Sequence, residues 1–324
     1  MTELLSKFLK PEIRRPLKRC IKNGTIFTAL GELVLLGRSP KAINILILSL
    51  QFKMKNKLEK QYRSKLLEFD DNYNSNLIHE NSNKVWVCWF QGMETAPNIV
   101  KICYESIKRE LFDKEIILIT KKNMFDYVEF PESLIKKWDN GIISDAHMSD
   151  LLRLELLIKY GGIWIDSTVY CSGSNIPDYI FDSDLFLYQE LEPGSEVQPI
   201  LISNWLISAK TNNKILMAVK FLLFEYWEKN NFVVDYFIFH IFMSIVLEFY
   251  SDDWKKIMPA SNTDPHLLLF RLFEDYDENI WESIKNKTCF HKLTYKLDEN
   301  DVHKNNTYYK KIVESENLNN YNYI

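Results

Sequence analysis

Between Lys84 and Thr168 the sequence alternates short apolar runs with longer helical patterns, and no other feature constrains the fold as strongly. Residues 85–90, 115–120 and 163–165 have the length and composition of buried strands. Strands that alternate with helices usually form a parallel sheet with helices packed on its faces. The sequence therefore predicts an α/β fold with a mainly parallel sheet over this part of the chain.

The patterns that follow extend this arrangement towards the C-terminus. They predict strands at 185–188 and 205–208, helices at 213–229, 233–249 and 265–273, and a last strand at 289–293. Thr95 is predicted to cap the first helix of the alternating segment, because a proline follows in the first turn. The polar segment from Glu299 onwards is expected to be loose.

The first 65 residues differ from the rest of the chain in charge. They contain 15 Lys and Arg residues against 4 Asp and Glu residues, a balance of +11, whereas the remainder has 25 against 40, a balance of −15. Their apolar residues recur at helical spacing, and an Asn-rich stretch follows at 70–83. We therefore expect a basic helical N-terminal region at 1–75, a main domain at 84–298 and a polar C-terminal tail at 299–324.

Composition narrows the classes of protein that remain. The 5 cysteines stand far apart without a Cys-x-x-Cys pair, which favours a reducing compartment over a disulfide framework. No apolar run reaches the ~20 residues that a membrane-spanning helix needs, so a soluble or peripheral protein is expected. The chain after residue 65 is acidic and has no basic motif with interleaved aromatic residues, so nucleic acid is not an expected partner.

One helical pattern, residues 144–160, carries polar side chains on one side. His147, Asp150 and Arg153 are spaced three residues apart and share a helix face. Two glycines end the pattern, and a short strand then delivers Asp166 to its carboxyl end. Ligands of open α/β sheets bind outside such strand ends, so these polar groups are predicted to face one crevice. The alternative is a surface ion pair of Asp150 with Arg153, and a turn capped by Asp166.

Four segments together resemble a known family. They read K-V-W-V-C-W-F-Q-G followed by T-A-P, then S-D-L-L-R-L-E-L-L, then Y-G-G-I-W-I-D-S-T, and finally F-H-K-L-T-Y-K. This order and spacing, over about residues 84–296, resembles the capsular polysaccharide synthesis proteins. These are glycosyltransferases related to family 32 and, more distantly, to the large clostridial glucosylating toxins. The resemblance implies a GT-A fold, in which a Rossmann-like domain binds a nucleotide sugar.

The resemblance also implies roles for individual residues. Trp89 is similar to the residue that stacks on the donor base, although Trp89 can equally be a core residue. Asp150 and Arg153 match the pair that holds sugar and ribose hydroxyls. Asp166 matches the first acid of the D-x-D motif, which holds Mn²⁺ or Mg²⁺ under the diphosphate. The third position of that motif is Thr168, whose hydroxyl is a weaker metal ligand than a carboxylate.

Further candidates lie outside these matches. His291 and Lys292, beyond the last predicted strand, are candidates to face the diphosphate, with a plain surface pair as the alternative. Asp235 stands among apolar residues, where a carboxylate is costly unless it is used or paired, so it is a candidate catalytic or acceptor-site residue; a helix cap is the alternative. Asn204 is a candidate for contact with the donor sugar, whereas its neighbour Trp205 is expected to pack.

Taken together, these features predict a glycosyltransferase. The expected reaction moves a hexose from a nucleotide sugar, favouring a UDP-sugar, to a lipid-linked glycan acceptor in capsular or other surface polysaccharide synthesis, with retention of configuration. The expected location is cytoplasmic, at the inner face of the plasma membrane, with residues 1–65 on the anionic membrane surface. The alternatives are a glycoside hydrolase, which needs two carboxylates and no diphosphate site, and a non-catalytic lipid-binding protein.

Overall fold

The computed structural model describes residues 20–37, 39–173, 176–191 and 198–312. The strands in these ranges are β1 (Lys84–Cys88), β2 (Glu115–Ile119), β3 (Gly162–Ile165), β4 (Val169–Cys171), β5 (Leu185–Gln189), β6 (Ile202–Ala209) and β7 (Phe290–Lys292). The helices are α1 (Ile26–Leu36), α2 (Pro40–Asn72), α3 (Asn98–Glu110), α4 (Met124–Tyr127), α5 (Glu132–Asp139), α6 (Asp145–Tyr160), α7 (Tyr179–Asp182), α8 (Lys214–Lys229), α9 (Ile238–Phe249), α10 (Ser251–Trp254), α11 (Leu267–Arg271), α12 (Glu278–Lys285) and α13 (Glu299–Val302). Short 3₁₀ turns lie at Met93–Thr95 and Asp264–His266.

The central sheet has the strand order β2-β1-β3-β6-β5. Strand β1 runs parallel to both of its neighbours, β2 and β3, whereas β6 runs antiparallel to β3 and β5. Four strands therefore point one way and one points back, which confirms the predicted α/β fold with a mostly parallel sheet. Strands β4 and β7 form a separate antiparallel pair.

Each face of the sheet packs against its own layer, because side chains alternate along the strands. Trp86 and Trp164 point into the larger core, which α2, α6, α8 and α9 complete. Val85 and Ile163, the neighbours of these tryptophans, point into the opposite core together with side chains of α3 and of the β4–β7 pair. The described residues thus cover both faces of the central sheet.

The turn between α6 and β3 requires its two glycines. Gly161 and Gly162 have φ angles of +66° and +91°, which residues with a Cβ atom rarely adopt. A Cβ on Gly162 would also clash with the carbonyl oxygen of Lys84 on the neighbouring strand. Trp86 Nε1 donates a hydrogen bond of 2.9 Å to the carbonyl of Gly161, which fixes the turn against β1.

The N-terminal region contains two helices that pack side by side. Ser49 Oγ of α2 donates to Glu32 of α1 at 3.0 Å, and Lys53 Nζ donates to Thr28 at 2.6 Å. The later part of α2 belongs to the main core, where it buries Met54, Leu58, Tyr62 and Leu66. The change from appendage to body therefore falls inside α2, before the Asn-rich stretch where the sequence suggested a boundary. No helix within the described residues is both long and apolar enough to span a membrane.

Two local predictions are wrong. Thr95 does not cap a helix: it lies in a 3₁₀ turn, and α3 begins at Asn98, because Ala96 precedes a proline and is held in an extended conformation. The segment after Glu299 is not loose as far as residue 312. Tyr308 and Ile312 are buried in a third core with residues of α3 and α11, and Tyr309 N donates to the carbonyl of Leu272 at 2.8 Å.

Candidate active site

A cleft of about 1020 Å³ opens at the edge of the sheet where β1 and β3 end. Residues that directly follow these strands, Trp89 and Asp166 among them, line it. Strand β6 runs the other way, so its beginning, near Asn204, reaches the same edge. The cleft therefore lies at the position that the alternation of strands and helices predicts for a ligand site.

Helix α6 supplies the arginine at the centre of the charged cluster. Ser144 caps this helix through a hydrogen bond to the backbone of His147, and one face of the first turns then lines the cleft. Arg153 is only 3% exposed and its guanidinium stacks over Trp164 at 4.8 Å from the ring centroid. Its Nη2 lies 3.3 Å from Asp150 Oδ1 and 3.6 Å from Asp166 Oδ1.

Asn204 and Lys292 complete this cluster. Arg153 Nη1 donates to the carbonyl oxygen of Asn204, whose own Nδ2 donates to Asp150 Oδ1 at 2.8 Å. Lys292 Nζ donates to Asp166 Oδ2 at 2.9 Å and to Thr168 Oγ1 at 2.6 Å. Residues that are up to 142 positions apart in sequence, from Asp150 to Lys292, therefore form one connected polar network in the wall of the cleft. Asp150 and Arg153 are therefore not the isolated surface ion pair of the alternative interpretation.

The two carboxylates of the network differ in protonation. Burial raises the pKa of Asp150 to about 7, with a further rise from the nearby Asp166, although Arg153 opposes it. Burial also disfavours the charge of Asp166, but Lys292 and Arg153 outweigh that effect and hold the pKa of Asp166 below its usual range. At neutral pH Asp166 is therefore ionised, whereas Asp150 is close to the midpoint of its titration.

Trp89 lies in the cleft, as its predicted role requires. Its ring packs edge-on against Tyr295, at 5.4 Å between centroids. Its buried Nε1 has no hydrogen-bond partner among the described residues. An unpaired buried donor of this kind costs about 1–3 kcal/mol. Trp86, the other tryptophan of this strand, is a core residue.

Two predicted site residues lie elsewhere. His291 is fully buried on the opposite side of β7 from Lys292, where it pairs with Ser172 Oγ at 2.7 Å, so it does not face the cleft. Asp235 accepts a hydrogen bond of 2.8 Å from the backbone of Phe237 at the beginning of α9 and does not line the cleft. The N-cap position of α9 is Phe237 and has no side-chain cap, so Asp235 closes a turn just before the helix and is not the helix cap of the alternative. Trp205 lines the cleft and stacks on Tyr188, so it packs as expected.

Sequence reasoning missed several residues of the cleft. Gln91 lies three residues after the end of β1 and donates to Asp145 at 3.1 Å, so a search of the segment that follows each strand would have found it. Tyr236 and His240 line the cleft from the start of α9, four residues apart. Burial and the charge of Arg153 lower the pKa of His240 to about 3, so it is neutral at physiological pH. In the sequence, the four-residue spacing of Tyr236 and His240 was the one sign that these two side chains lie on the same side of a predicted helix.

The surroundings of Asp166 and Thr168 differ from those of the expected metal site. A divalent cation of the Mg²⁺ class takes several oxygen ligands, carboxylates above all. Here one carboxylate and one hydroxyl face each other, and the ammonium group of Lys292 lies between them. Within the described ranges no group of three or more His, Cys, Asp or Glu side chains is arranged to hold a metal ion. These residues do not fit a divalent cation while Lys292 keeps this position.

Comparison with known proteins places this chain in a family. Among solved structures, the chain is similar to one titled "PaToxG Glycosyltransferase", with 15% identity and a TM-score of 0.36 over 81% of this chain and 96% of that one. A likeness at that level carries no argument about function. The comparison with curated proteins finds no match. The family of capsular polysaccharide synthesis proteins matches residues 46–312, most of the sequence, including every residue of the cleft network. The chain belongs to the capsular polysaccharide synthesis protein family.

Proposed function

We propose that this protein is a GT-A glycosyltransferase that transfers a hexose from a UDP-sugar to a lipid-linked glycan in surface polysaccharide synthesis, with retention of configuration. One observation carries the proposal: Arg153 and Lys292 bring two positive charges to Asp166 at the strand end that lines the cleft. A nucleotide sugar presents a diphosphate and several hydroxyl groups. Cationic side chains bind the diphosphate, and carboxylates accept hydrogen bonds from the hydroxyl groups.

Each group of the network has a place in this reaction. Asp150, ionised or not, can accept from hydroxyls of the donor, and Asn204 holds it in position through the 2.8 Å hydrogen bond. Trp89 lines the cleft, where the face of its ring can stack on the base of the donor. Positive charge near the diphosphate stabilises the negative charge that develops as the sugar departs. Membership of the capsular polysaccharide synthesis family supports the same type of acceptor.

The acceptor side of the cleft has a different character. Ile47 and Leu48 of α2 line the cleft and are also about half exposed. We call the exposed apolar side chains of α1 and of the first half of α2 the apolar hairpin surface. Its members are Phe27, Leu30, Val34, Leu35, Leu36, Ile43, Ile45, Ile47 and Leu48. Soluble monomers rarely expose this many apolar groups together without a partner.

We propose that the apolar hairpin surface lies in the headgroup layer of an anionic membrane. The +11 balance of residues 1–65 gives this region the charge that anionic lipids attract, at about 1 kcal/mol for each Lys or Arg near the surface. The surface meets the cleft at Ile47 and Leu48, so a sugar attached to a lipid would enter the cleft directly from the membrane. This arrangement corresponds to a peripheral enzyme at the cytoplasmic face of the membrane.

A donor panel tests the central proposal. Thermal-shift measurements with UDP-, GDP-, CDP- and TDP-sugars should show stabilisation by at least one, and membranes that contain lipid-linked glycan should then incorporate its labelled sugar. Glycan cleavage without any donor would instead support a glycoside hydrolase. Binding to vesicles without any effect of nucleotide sugars would support a non-catalytic lipid-binding protein.

A further inference from the structure

The position of Lys292 is fixed by strand pairing. Strands β4 and β7 are antiparallel with Val169 opposite Lys292, and the backbone N–H of Leu293 donates to the carbonyl of Thr168 at 2.9 Å. These contacts place Lys292 beside the turn that carries Asp166 and Thr168. The lysine therefore reaches the two side chains from a defined backbone position rather than from a flexible loop.

Alternation along β7 decides which of its polar residues can serve the cleft. His291 points into the core that contains Trp281 and Tyr170, at ring distances of 5.2 and 6.2 Å. Lys292 points the other way, lines the cleft and retains 19% exposure of its side chain. One residue of the pair thus has a structural role, and the other presents an ammonium group to a ligand.

The hydrogen bonds of Lys292 leave room for one more partner. An ammonium group has three N–H donors, and those to Asp166 and Thr168 account for two of them. The third can donate to an oxygen of a ligand in the cleft. Asp166 and Thr168 thus act as acceptors that orient the ammonium, although the D-x-D pattern would use the same two positions to bind a metal.

We propose that Lys292 occupies the place of the divalent cation and binds the diphosphate of the donor, so that donor binding and transfer need no metal. This inference rests on the proposed function. In the transfer step the bond between sugar C1 and the diphosphate oxygen breaks, and its electron pair stays on that oxygen. The acceptor hydroxyl oxygen forms the new bond to C1, and its proton passes to the departing diphosphate. Lys292 and Arg153 stabilise the negative charge on that group.

Calorimetric titration with UDP and with uridine tests the inference on the full chain. In EDTA the wild-type protein should bind UDP, and added Mn²⁺ should change the affinity by less than about twofold. Lys292→Met should weaken UDP binding at least tenfold, equal to about 1.4 kcal/mol, and leave uridine binding unchanged, because uridine has no phosphate. Lys292→Arg should recover part of the loss. Lys256→Met, at an exposed lysine that does not line the cleft, is the matched control.

The reciprocal exchange gives a second readout. The double variant Thr168→Asp with Lys292→Ala restores two carboxylates and removes the ammonium, so it should bind UDP only with Mn²⁺ and should reduce the electron paramagnetic resonance signal of free Mn²⁺. Addition of the wild-type protein to a mixture of Mn²⁺ and UDP should not lower the signal of free Mn²⁺ any further.

The outcomes separate the inference from the proposed function. Wild-type binding of UDP that requires Mn²⁺ would overturn the inference and leave the proposed function standing. So would Lys292→Met binding UDP as tightly as wild type, or losing uridine and UDP equally, since the second result would indicate a structural role. If none of UDP, GDP, CDP and TDP binds, with or without Mn²⁺, the proposed function itself fails.

Discussion

The two ends of the cleft differ in how complete they are. At the sheet edge Asp150, Arg153, Asp166 and Lys292 already hold one another through ion pairs before any ligand arrives. At the helical end the apolar hairpin surface leaves Phe27 and Val34 each 84% exposed. Breaking a buried charge network is costly, so the charged end is rigid. The helical end has no apolar partner among the described residues, so under the proposed function placement at a membrane surface and the chemistry of transfer would belong to separate regions.

Removal of Asp166 should have the largest effect on the charged end. Asp166→Ala takes the shared counter-charge from Lys292 and Arg153, so the transfer rate should fall by at least about a hundredfold. The change also leaves Arg153 and Lys292 with one counter-charge fewer, so the melting temperature should fall, although the partial exposure of Asp166 limits that loss. Rates with the best donor and a circular dichroism melt measure both effects. Asp252→Ala, at an aspartate that is 90% exposed, is the control. Wild-type turnover in Asp166→Ala would exclude Asp166 from the site.

Arg153→Lys should be the next most severe change. The guanidinium contacts Asp150, Asp166 and the carbonyl of Asn204 at once, and an ammonium group cannot reproduce that planar fork. We expect kcat/KM to fall about tenfold to a hundredfold, with a loss of about 1–3 kcal/mol in the free energy of unfolding. Vesicle binding should not change. If it falls together with kcat/KM, the two ends of the cleft are not independent.

The helical end can be altered without touching the network. Val34→Glu with Leu35→Glu adds two negative charges to the apolar hairpin surface, so flotation with anionic vesicles should be lost. Wild-type protein should float with anionic but not neutral vesicles, and high salt should release it. Point changes are preferable to truncation at residue 65, because Met54 and Leu58 belong to the main core.

This experiment also separates the partners of the hairpin. The affinity of the Val34→Glu, Leu35→Glu variant for UDP should match that of wild type within about twofold, because the charged network is unchanged. Equal flotation of variant and wild type would place the membrane contact elsewhere. A concentration-dependent dimer in wild type that the substitutions abolish, without flotation of either protein, would identify a second copy of the chain as the partner.

The smallest expected effect concerns the proton on Asp150. Its pKa in the folded protein, about 7, exceeds the ordinary value of 3.8, so ionisation costs stability progressively as pH rises between those values. Asp150→Asn cannot ionise. Its melting temperature relative to wild type should therefore be higher at pH 8 than at pH 5. Donor affinity of wild type should rise severalfold as Asp150 ionises around pH 7, and the variant should show no such rise. Parallel pH profiles would rule this titration out.

The alternating pattern was sufficient to predict most of the fold, because strand and helix periodicity is local. The same reasoning placed Asp150, Arg153 and Asp166 in one crevice, since the helix, the glycine turn and β3 follow each other directly. Thr95 shows the limit of such reasoning: the restriction that Pro97 imposes on Ala96 outweighed the preference of threonine for helix caps.

Residues that come together from distant parts of the chain were harder to assign. His291 and Lys292 are adjacent in sequence, and only the pairing of β7 with β4 decides which of them faces the cleft. The extent of α2 was hidden for the same reason, because Met54 to Leu66 become core only after α8 and α9 pack on them. Asp235 was singled out for its apolar neighbours, yet it lies at the start of α9, where a backbone N–H satisfies it.

The strand that carries Lys292 is the last part of the network to be synthesised. Asp166 precedes Lys292 by 126 residues, which corresponds to roughly 6–25 s of translation at about 5–20 residues per second. Once Ala209 has been added, the nascent chain contains every strand of the central sheet, whereas Asp166 still has only Arg153 as a cationic partner in the network. Ribosome-bound chains that stop before β7 should therefore fail to bind a nucleotide diphosphate. The ability to bind one should appear late in biosynthesis, after Lys292 has been added.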